Sequence, residues 1–249
     1  MSASERILVL GGTSAIAQAY ANELAPFGPA FVLVGRHEER LRIVSANLRV
    51  RGAVSVEIVV ADLAAIDDIE RVAKMIRSRF GEPEQLLLAY GLLGDQLVAE
   101  RDLGAARSIL TVNFISAALW LLALLSGRDL TTPLSVVVIG SVAGERGRAA
   151  NGLYGAAKGG LEIFVDGLRQ KYAGTAVRFL VVKPGFVDTP MTTRYVKSGP
   201  LWAPAERVAR DIRRAVVRRK RVIYTPWFWR PIMAVIRLMP WFLFRRLKI

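Results

Sequence analysis

The chain has 249 residues, of which 53% are hydrophobic, and this length fits one large α/β domain with a sizeable core. It contains no cysteine and a single histidine, His37, which excludes disulfides, thiol nucleophiles and metal sites built from Cys or clustered His, so we expect no metal. The net charge is +14 and is unevenly distributed, with 13 Lys/Arg and 2 Asp/Glu in residues 206–249. This basic segment does not have the pattern of a motif that reads a nucleic-acid groove, so we expect no nucleic-acid partner.

Short apolar runs alternate with longer segments of helical period. This alternation predicts βαβ units and an α/β fold, a doubly wound Rossmann-type parallel sheet of about seven strands with helices on both faces. Several runs are continuous in Val, Ile and Leu, as is typical of strands covered on both faces. The predicted strands are Ile7–Leu10, Ala30–Val34, Ser55–Val60, Gln85–Ala89, Leu134–Ile139, Val177–Val182 and Arg221–Tyr224. The predicted helices are Ile16–Leu24, Glu38–Arg51, Ile66–Phe80, Ala105–Leu125, Gly155–Tyr172 and Pro204–Arg219.

The first predicted strand leads into a turn that opens the first helix. Gly11 permits an unusual backbone angle, and the small residues after it leave the backbone accessible to a ligand. The N-terminus of the helix offers free N–H groups and a positive dipole end to a pyrophosphate. Turns of this kind also join strands and helices that bind nothing. The candidate cofactor-binding residues of this turn are Gly11, Thr13, Ser14, Ala15 and Ile16.

Two later strand ends bear on the choice of cofactor. Arg36 follows Gly35 where an acidic residue would bind the ribose 2′-hydroxyl of NAD, and an arginine suits the 2′-phosphate of NADP. We therefore expect NADP(H) to be favoured over NAD(H), with a solvated surface arginine as the alternative. Asp62 and Leu63 end the third strand, where a carboxylate can accept a hydrogen bond from an adenine amino group. The alternative for Asp62 is a helix N-cap.

The strongest chemical signal is Tyr154 with Lys158, preceded by Ser141. Residues four apart share one face of a helix, and an ammonium beside a phenol lowers the phenol pKa from about 10. Tyr154 is then a general acid for reduction and a general base for oxidation. Ser141 ends the fifth strand, where its hydroxyl can polarise the reacting oxygen. The set predicts hydride-coupled proton transfer at a carbonyl or secondary alcohol.

Over residues 5–225 the chain resembles the short-chain dehydrogenase/reductase family, on the turn at residues 10–17, Ser141, and the Tyr154 and Lys158 pair. Alanine replaces the last two glycines of the family's turn. The resemblance implies a homodimer or homotetramer. It also implies that Asn113 helps to hold a water linking Lys158 to solvent.

The same resemblance implies further cofactor contacts. The segment that begins at Pro184 and Gly185 would bring the Val187 backbone and the Thr189 hydroxyl to the nicotinamide carboxamide. Residues 88–91 stand where the family has Asn-Asn-Ala-Gly. Tyr90 and Gly91 therefore depart from the family pattern on the adenine side of the pocket.

A narrower resemblance rests on residues 89–95, 143–146 and 238–247. These segments are similar to the reductase subunit of decaprenylphosphoryl-ribose 2′-epimerase, which acts in cell wall biosynthesis. The resemblance implies reduction of the 2′-keto group of a polyprenylphosphoryl pentose, with a flavoprotein oxidase as partner. The alternatives are a reductase of another lipid-like ketone or alcohol, or a non-catalytic dinucleotide-binding protein on a membrane surface.

Four basic residues are candidates for holding a substrate phosphate, because they follow Ser141 and the Pro-Gly segment that flank the reacting carbon. Surface solvation is the alternative for each of them. They are Arg146, Arg148, Arg194 and Lys197.

Residues 1–221 are predicted to form the oxidoreductase domain and residues 222–249 a basic aromatic tail. Pro226, Pro231 and Pro240 are predicted to break the tail into short pieces, and Arg230 and Arg237 argue against a membrane-spanning helix. Aromatic residues interleaved with arginines suit an anionic membrane surface. The tail is thus a membrane-surface anchor, or else part of the same domain that covers a dimer contact.

The first six residues lead directly into the first predicted strand without the pattern of a signal peptide. Together with the lack of cysteine, this predicts a cytoplasmic protein. If the tail binds lipid, the protein is peripheral on the inner face of the cell membrane.

Overall fold

The computed structural model describes residues 5–193 and 199–247. Its strands are β1 (Arg6–Leu10), β2 (Ala30–Gly35), β3 (Ser55–Val60), β4 (Gln85–Leu88), β5 (Leu134–Ile139), β6 (Val177–Pro184), β7 (Phe186–Asp188), β8 (Trp202–Pro204) and β9 (Val222–Thr225). Seven of them form one parallel sheet in the order β3-β2-β1-β4-β5-β6-β9. The predicted doubly wound sheet is confirmed. The short pair β7 and β8 is an addition that the sequence did not indicate.

The central strands are buried on both faces, which explains their continuous apolar sequences. All four residues of β4 are buried, and so are residues 7–10 of β1. The strand order reverses between β1 and β4. In open α/β sheets, ligands bind outside the carboxyl ends of the strands at such a point. The fold therefore places the expected site at the carboxyl ends of β1, β4 and β5.

Helices cover both faces of the sheet. They are α1 (Ala15–Leu24), α2 (Glu38–Val50), α3 (Ile69–Phe80), α4 (Gln96–Ala99), α5 (Leu103–Leu110), α6 (Ser116–Leu125), α7 (Gly152–Lys171), α8 (Ala205–Val217), α9 (Trp229–Leu238) and α10 (Trp241–Phe244). Buried residues of α1, α2 and α8 form the core on one face, and those of α3, α6 and α7 form the core on the other. The six predicted helices are present, whereas α4, α9 and α10 were not predicted.

The helix predicted at Ala105–Leu125 is interrupted. A π-helical turn, Thr111–Ile115, joins α5 to α6, and such turns are frequent at functional sites because they re-aim side chains. This turn carries Asn113. The stretch Leu103–Leu125 is the one helix among the described residues that is long and apolar enough to cross a membrane. Its buried residues, including Trp120 and Leu121, pack in the core with residues of the sheet.

The first residues of the predicted tail belong to the sheet, since β9 pairs with the end of β6. The helices α9 and α10 follow, separated at Pro240. Pro231 was predicted to break the segment, and this prediction is wrong. Pro231 lies in the first turn of α9, where a missing N–H removes no helix hydrogen bond. The breaks at Pro226 and Pro240 are confirmed.

Candidate active site

The turn after β1 leaves no space for a side chain at Gly11. Gly11 has a φ of +92°, and a Cβ there would lie 2.8 Å from the Cβ of Tyr90. The N–H groups of Gly11 and Gly12 both donate to the carbonyl of Val34 at 3.0 Å. The turn is thereby fixed between β2 and the residues after β4.

Helix α1 begins immediately after this turn, so its first N–H groups lie at the carboxyl edge of the sheet. Ser14 is the N-cap, and its side chain makes no capping hydrogen bond. Thr13, Ala15 and Ile16 are half-buried, and the carbonyl of Thr13 accepts from the Gln18 amide at 3.0 Å. The five predicted residues of the turn thus lie together at the N-terminus of a helix, where an anion is favoured.

The strand ends expected to select the cofactor lie on the surface. Arg36 is exposed, and its Nε donates to His37 Nε2 at 3.3 Å. Asp62 is exposed and accepts from the Ala64 N–H at 3.0 Å, so its carboxylate stabilises the local turn. Leu63 is buried and its carbonyl accepts from Trp120 Nε1. Asp62 is not a helix N-cap, because the next helical turn, Ile66–Asp68, has Ala65 at that position.

Asn113 ties the π-helical turn to the loop after β4. Its Nδ2 donates to the carbonyls of Leu92, at 2.6 Å, and Ile109, at 2.8 Å, while its Oδ1 accepts from the Leu92 N–H at 3.0 Å. Asn113 is buried and its side chain is held on three sides. The neighbouring Tyr90 is held by a 3.0 Å hydrogen bond between its hydroxyl and that of Ser116.

Gly91 lies where a side chain would project into the candidate site. A Cβ at Gly91 would lie 2.9 Å from Asn113 Oδ1 and 3.7 Å from Lys158 Nζ. Glycine at this position therefore keeps the space beside the lysine open. Gly11 is buried against Tyr90, so Gly91 is the glycine that leaves backbone surface bare here, which fits a dinucleotide beside the turn that opens α1.

Ser141, Tyr154 and Lys158 are brought together as predicted. The Lys158 ammonium donates to the carbonyl of Ile139 at 2.8 Å and lies 6.0 Å from the centroid of the Tyr154 ring. Tyr154 shares a hydrogen bond with Ser141, and the Ser141 hydroxyl oxygen accepts from the Ala143 N–H at 3.1 Å. Helix α7 carries the tyrosine and lysine, and the end of β5 carries the serine.

Glycines set the distance between α7 and the loop after β5. A Cβ at Gly155 would lie 2.7 Å from the carbonyl oxygen of Ala143, and a Cβ at Gly159 would lie 2.7 Å from that of Gly144. The helix backbone therefore contacts the loop backbone directly. This close contact was not predicted, although the sequence indicates it by a glycine directly after Tyr154 and another directly after Lys158.

Burial changes the pKa values of the tyrosine and the lysine. It raises the pKa of Tyr154 to about 12, against the opposing effect of the Ser141 hydrogen bond. Burial also lowers the pKa of Lys158 to about 8, against the opposing charge of Glu162. The expectation that Lys158 lowers the Tyr154 pKa is thus not met by the chain alone, because desolvation of the phenol is the larger effect.

The Pro-Gly segment lies at the end of β6, in contact with the C-terminal residues. Pro184 is buried, and a Cβ at Gly185 would lie 1.8 Å from Trp229 Nε1, so the indole occupies the space beside the glycine. Val187 is buried in β7, and its carbonyl accepts from the Thr192 hydroxyl at 2.7 Å. Thr189 is the N-cap of a short 3-10 turn that follows.

The four basic candidates do not share one environment. The Arg146 guanidinium donates to the carbonyls of Ile236, Arg237 and Met239. Its Cζ also lies 3.8 Å from the centroid of the Phe244 ring. It therefore holds the C-terminal helices. Arg148 is half-buried, burial lowers its pKa, and its Nε has no hydrogen-bond partner within residues 5–193 and 199–247. Arg194 and Lys197 lie outside the described residues.

A cluster of charged side chains beside the site was not predicted. The Lys183 ammonium lies 2.8 Å from a Glu162 oxygen and 2.9 Å from a Glu145 oxygen. The spacing of Glu162, four residues after Lys158, was a signal that the sequence offered. The positions of Glu145 and Lys183 depend on the packing of β6 against the loop after β5.

Comparisons with known proteins agree with this architecture. A family model described as short chain dehydrogenase matches residues 5–198. An uncharacterized oxidoreductase of Mycobacterium tuberculosis is 38% identical over 244 residues, which cover 97% of this chain and 96% of that protein.

Solved structures share the fold. A short chain dehydrogenase/reductase from Burkholderia phymatum in complex with NAD matches with a TM-score of 0.81 and 21% identity, over 94% of each chain. An alcohol dehydrogenase from Thermococcus sibiricus complexed with 5-hydroxy-NADP matches with a TM-score of 0.78 and 22% identity, over 89% of this chain and 95% of that one. The chain belongs to the short-chain dehydrogenase/reductase family and is an NAD(P)-dependent oxidoreductase.

Proposed function

We propose that the chain reduces a ketone, with Tyr154 as the proton donor. The observation that carries this proposal is the convergence of Ser141, Tyr154 and Lys158 at the carboxyl edge of the sheet, beside the space that Gly91 keeps open. A bound nicotinamide cofactor supplies the hydride. Tyr154 gives its phenol proton to the carbonyl oxygen, so that the ketone becomes a secondary alcohol.

The neighbouring side chains assist this proton transfer. The Ser141 oxygen accepts from the Ala143 N–H, and its hydroxyl proton can turn from Tyr154 to the substrate oxygen when the substrate binds. The Lys158 ammonium stabilises the phenolate that forms on Tyr154, because opposite charges attract strongly in a buried site. Asn113 fixes the loop that carries Gly91. As the family resemblance implies, a water beside Asn113 would let Lys158 exchange protons with solvent.

The proposed dinucleotide site lies along the carboxyl edge. The turn that contains Thr13 and Ser14 would hold the pyrophosphate at the N-terminus of α1, and Asp62, Leu63 and Tyr90 would lie on the adenine side. NADP(H) is the favoured cofactor because Arg36 is exposed at the end of β2. On the nicotinamide side, Val187 and Thr189 follow Gly185.

The proposed substrate is a ketone on a lipid-like molecule, specifically the 2′-keto group of a polyprenylphosphoryl pentose. Two observations support this choice. Phe186, Trp202 and Trp229 form an aromatic cluster beside Gly185, with ring centroids 5.3 and 5.2 Å from that of Phe186. The half-buried Arg148, in the loop that follows Ser141, carries a guanidinium that suits a phosphate.

A turnover assay tests the proposed activity. Oxidation of NADPH is followed with the keto sugar generated by a flavoprotein oxidase, and with simple ketones of increasing chain length. The proposal expects turnover with the keto sugar only when the oxidase has acted. Turnover of the simple long-chain ketones, but not of the keto sugar, favours the alternative that the chain reduces another lipid-like ketone. No turnover with any ketone or alcohol, despite cofactor binding, favours a binding protein and contradicts the proposal.

The C-terminal helices are the proposed contact with an anionic membrane surface, which would make the protein peripheral on the inner face of the cell membrane. Large apolar side chains are exposed there, with 83% of Leu238, 70% of Trp227 and 68% of Trp241 accessible. Exposed arginines lie among them, including Arg230 and Arg245. Trp suits the headgroup boundary, and Arg binds its phosphates. This arrangement brings the site to a substrate that is anchored in lipid.

The proposed assembly is a homodimer or homotetramer. The helices α6 and α7 each leave apolar side chains exposed, among them Leu122 and Ile163. Light scattering during gel filtration tests this proposal, and a monomer at micromolar concentration contradicts it.

A further inference from the structure

Three charged side chains that are largely shielded from solvent lie behind Lys158, and the proposed reaction does not use them. Glu162 is on α7, one turn after Lys158. Lys183 is near the end of β6, and Glu145 is in the loop after β5. The exposed fractions of their side chains are 12%, 13% and 3%. Charges this well buried persist only when they are paired, because desolvation of a lone ion is costly.

Lys183 holds the two carboxylates in fixed positions. Its ammonium lies 2.8 Å from Glu162 Oε2 and 2.9 Å from Glu145 Oε1. The other Glu162 oxygen, Oε1, lies 3.5 Å from the Ser141 backbone nitrogen, which donates to it. Glu162 is thus the side chain of this cluster that touches the residue expected to bind the substrate oxygen.

Glu145 extends the cluster to the C-terminal residues. Its carboxylate accepts from the Tyr224 hydroxyl on β9 and lies 3.7 Å from Arg237 Nε on α9. Lys183 therefore joins α7 to the loop after β5, and Glu145 joins both to the tail. The carboxylate of Glu162 cannot move without breaking buried ion pairs.

We propose that Glu162 is a positioning residue for the reaction, which holds the Ser141 backbone and places a negative charge behind Lys158 and Tyr154. The inference rests on the proposed function. The geometry that carries it is the 3.5 Å contact with Ser141 and the two buried ion pairs of Lys183. Glu162 touches neither substrate nor cofactor in this scheme and acts through the neighbouring groups.

The charge of Glu162 has a definite sign of effect. Burial has the largest effect on the pKa values of Lys158 and Tyr154. The negative charge of Glu162 is a smaller effect, and it raises both pKa values. Its other charged neighbours are Lys183 and Glu145 from adjacent elements and Arg169 on its own helix. Because Tyr154 and Lys158 titrate as a pair, removing this negative charge lowers the apparent pKa of the pair.

The experiment compares pH profiles of alcohol oxidation, in which activity rises as Tyr154 loses its proton. Glu162→Gln removes the charge but leaves Lys183 paired with Glu145. We expect its profile to shift to lower pH by about half a unit or more. Asp166→Asn is the matched control, since Asp166 is an exposed acid one turn later on α7. Its profile should coincide with that of the wild type.

Glu162→Asp tests the same inference if the glutamine variant fails to fold. It keeps the charge, so it should restore the position of the profile while lowering kcat through the lost contact with Ser141. Coincident profiles for wild type and Glu162→Gln, or an equal shift in Asp166→Asn, would overturn the inference and leave the proposed function intact. Absence of wild-type turnover would instead overturn the proposed function, and the inference with it.

Discussion

Arg36 is the residue on which the proposed cofactor preference depends. It follows β2 as an exposed side chain, and its Nε donates to the adjacent His37 as its one partner among the residues that the structure describes. The guanidinium is therefore available to a 2′-phosphate, which accepts charge-assisted hydrogen bonds from arginine. In an NAD-specific site this position would carry a carboxylate.

Replacing Arg36 with Ala should weaken NADPH binding by about tenfold or more and leave NADH binding nearly unchanged, because a hydrogen bond between charged groups contributes roughly 1.5–3 kcal/mol. Fluorescence titration of both cofactors measures this ratio. Arg51→Ala, at the far end of α2, is the control and should behave like the wild type. An unchanged ratio in Arg36→Ala would refute the assignment of the phosphate site.

At the scale of elements, the contact between α7 and the loop after β5 sets the geometry of the site. Gly155 and Gly159 allow the helix backbone to touch the carbonyls of Ala143 and Gly144. A methyl group at Gly159 would meet the Gly144 oxygen at 2.7 Å, and backbone cannot yield as a flexible side chain does. The helix would then move away from Ser141.

Gly159→Ala should therefore lower kcat by about a hundredfold, since displacements near 1 Å at a reacting centre have effects of this size. Gly160→Ala is the matched control, because its methyl group would meet the ring of Phe114 at an ordinary 3.6 Å. The control should keep its activity and gain about 0.5–1 kcal/mol of stability from its helix propensity. Steady-state kinetics measures kcat, and urea unfolding measures the change in stability. Equal kcat values for the two variants would show that the close contact between Gly159 and Gly144 does not set the activity.

The sequence predicted the elements and residues that depend on local pattern. The continuous apolar runs predicted the seven sheet strands, and the spacing of Tyr154 and Lys158 predicted a shared helix face. The π-helical turn at Asn113 was not predicted, because the helix that follows it, Ser116–Leu125, is apolar on nearly every face and so does not reveal the change of phase that one extra residue causes. The link from Arg146 to the carbonyls at the C-terminal end of α9 joins residues about ninety positions apart, and only tertiary packing determines such a contact.

At the scale of the whole molecule, positive charge and exposed aromatic residues coincide at the C-terminal helices. Arg146 and Glu145 attach these helices to the loop after β5, so a membrane that binds their outer face would also be near the reacting groups. A few engaged arginines suffice, since each contributes about 1 kcal/mol near an anionic leaflet.

A variant with Trp227, Leu238 and Trp241 all replaced by Gln should lose cosedimentation with phosphatidylglycerol vesicles, because these exposed side chains contribute little to the core. The control variant replaces the exposed Val50 and Ile43 by Gln and should sediment like the wild type. High salt should weaken binding of the wild type. Retained sedimentation of the triple variant would contradict the membrane proposal. If light scattering showed that this variant is a monomer, the result would favour the alternative in which the tail covers a dimer contact.

The central claim is that the Tyr154 phenol delivers the proton during ketone reduction, and Tyr154→Phe tests it most directly. The variant keeps the ring and removes only the hydroxyl, so NADPH affinity should stay within about threefold of wild type while kcat falls by roughly 10²–10⁴-fold. Parallel fluorescence titration and turnover measurements give both quantities. A Tyr154→Phe enzyme that binds NADPH normally and reduces the ketone at a rate within tenfold of wild type would contradict the account.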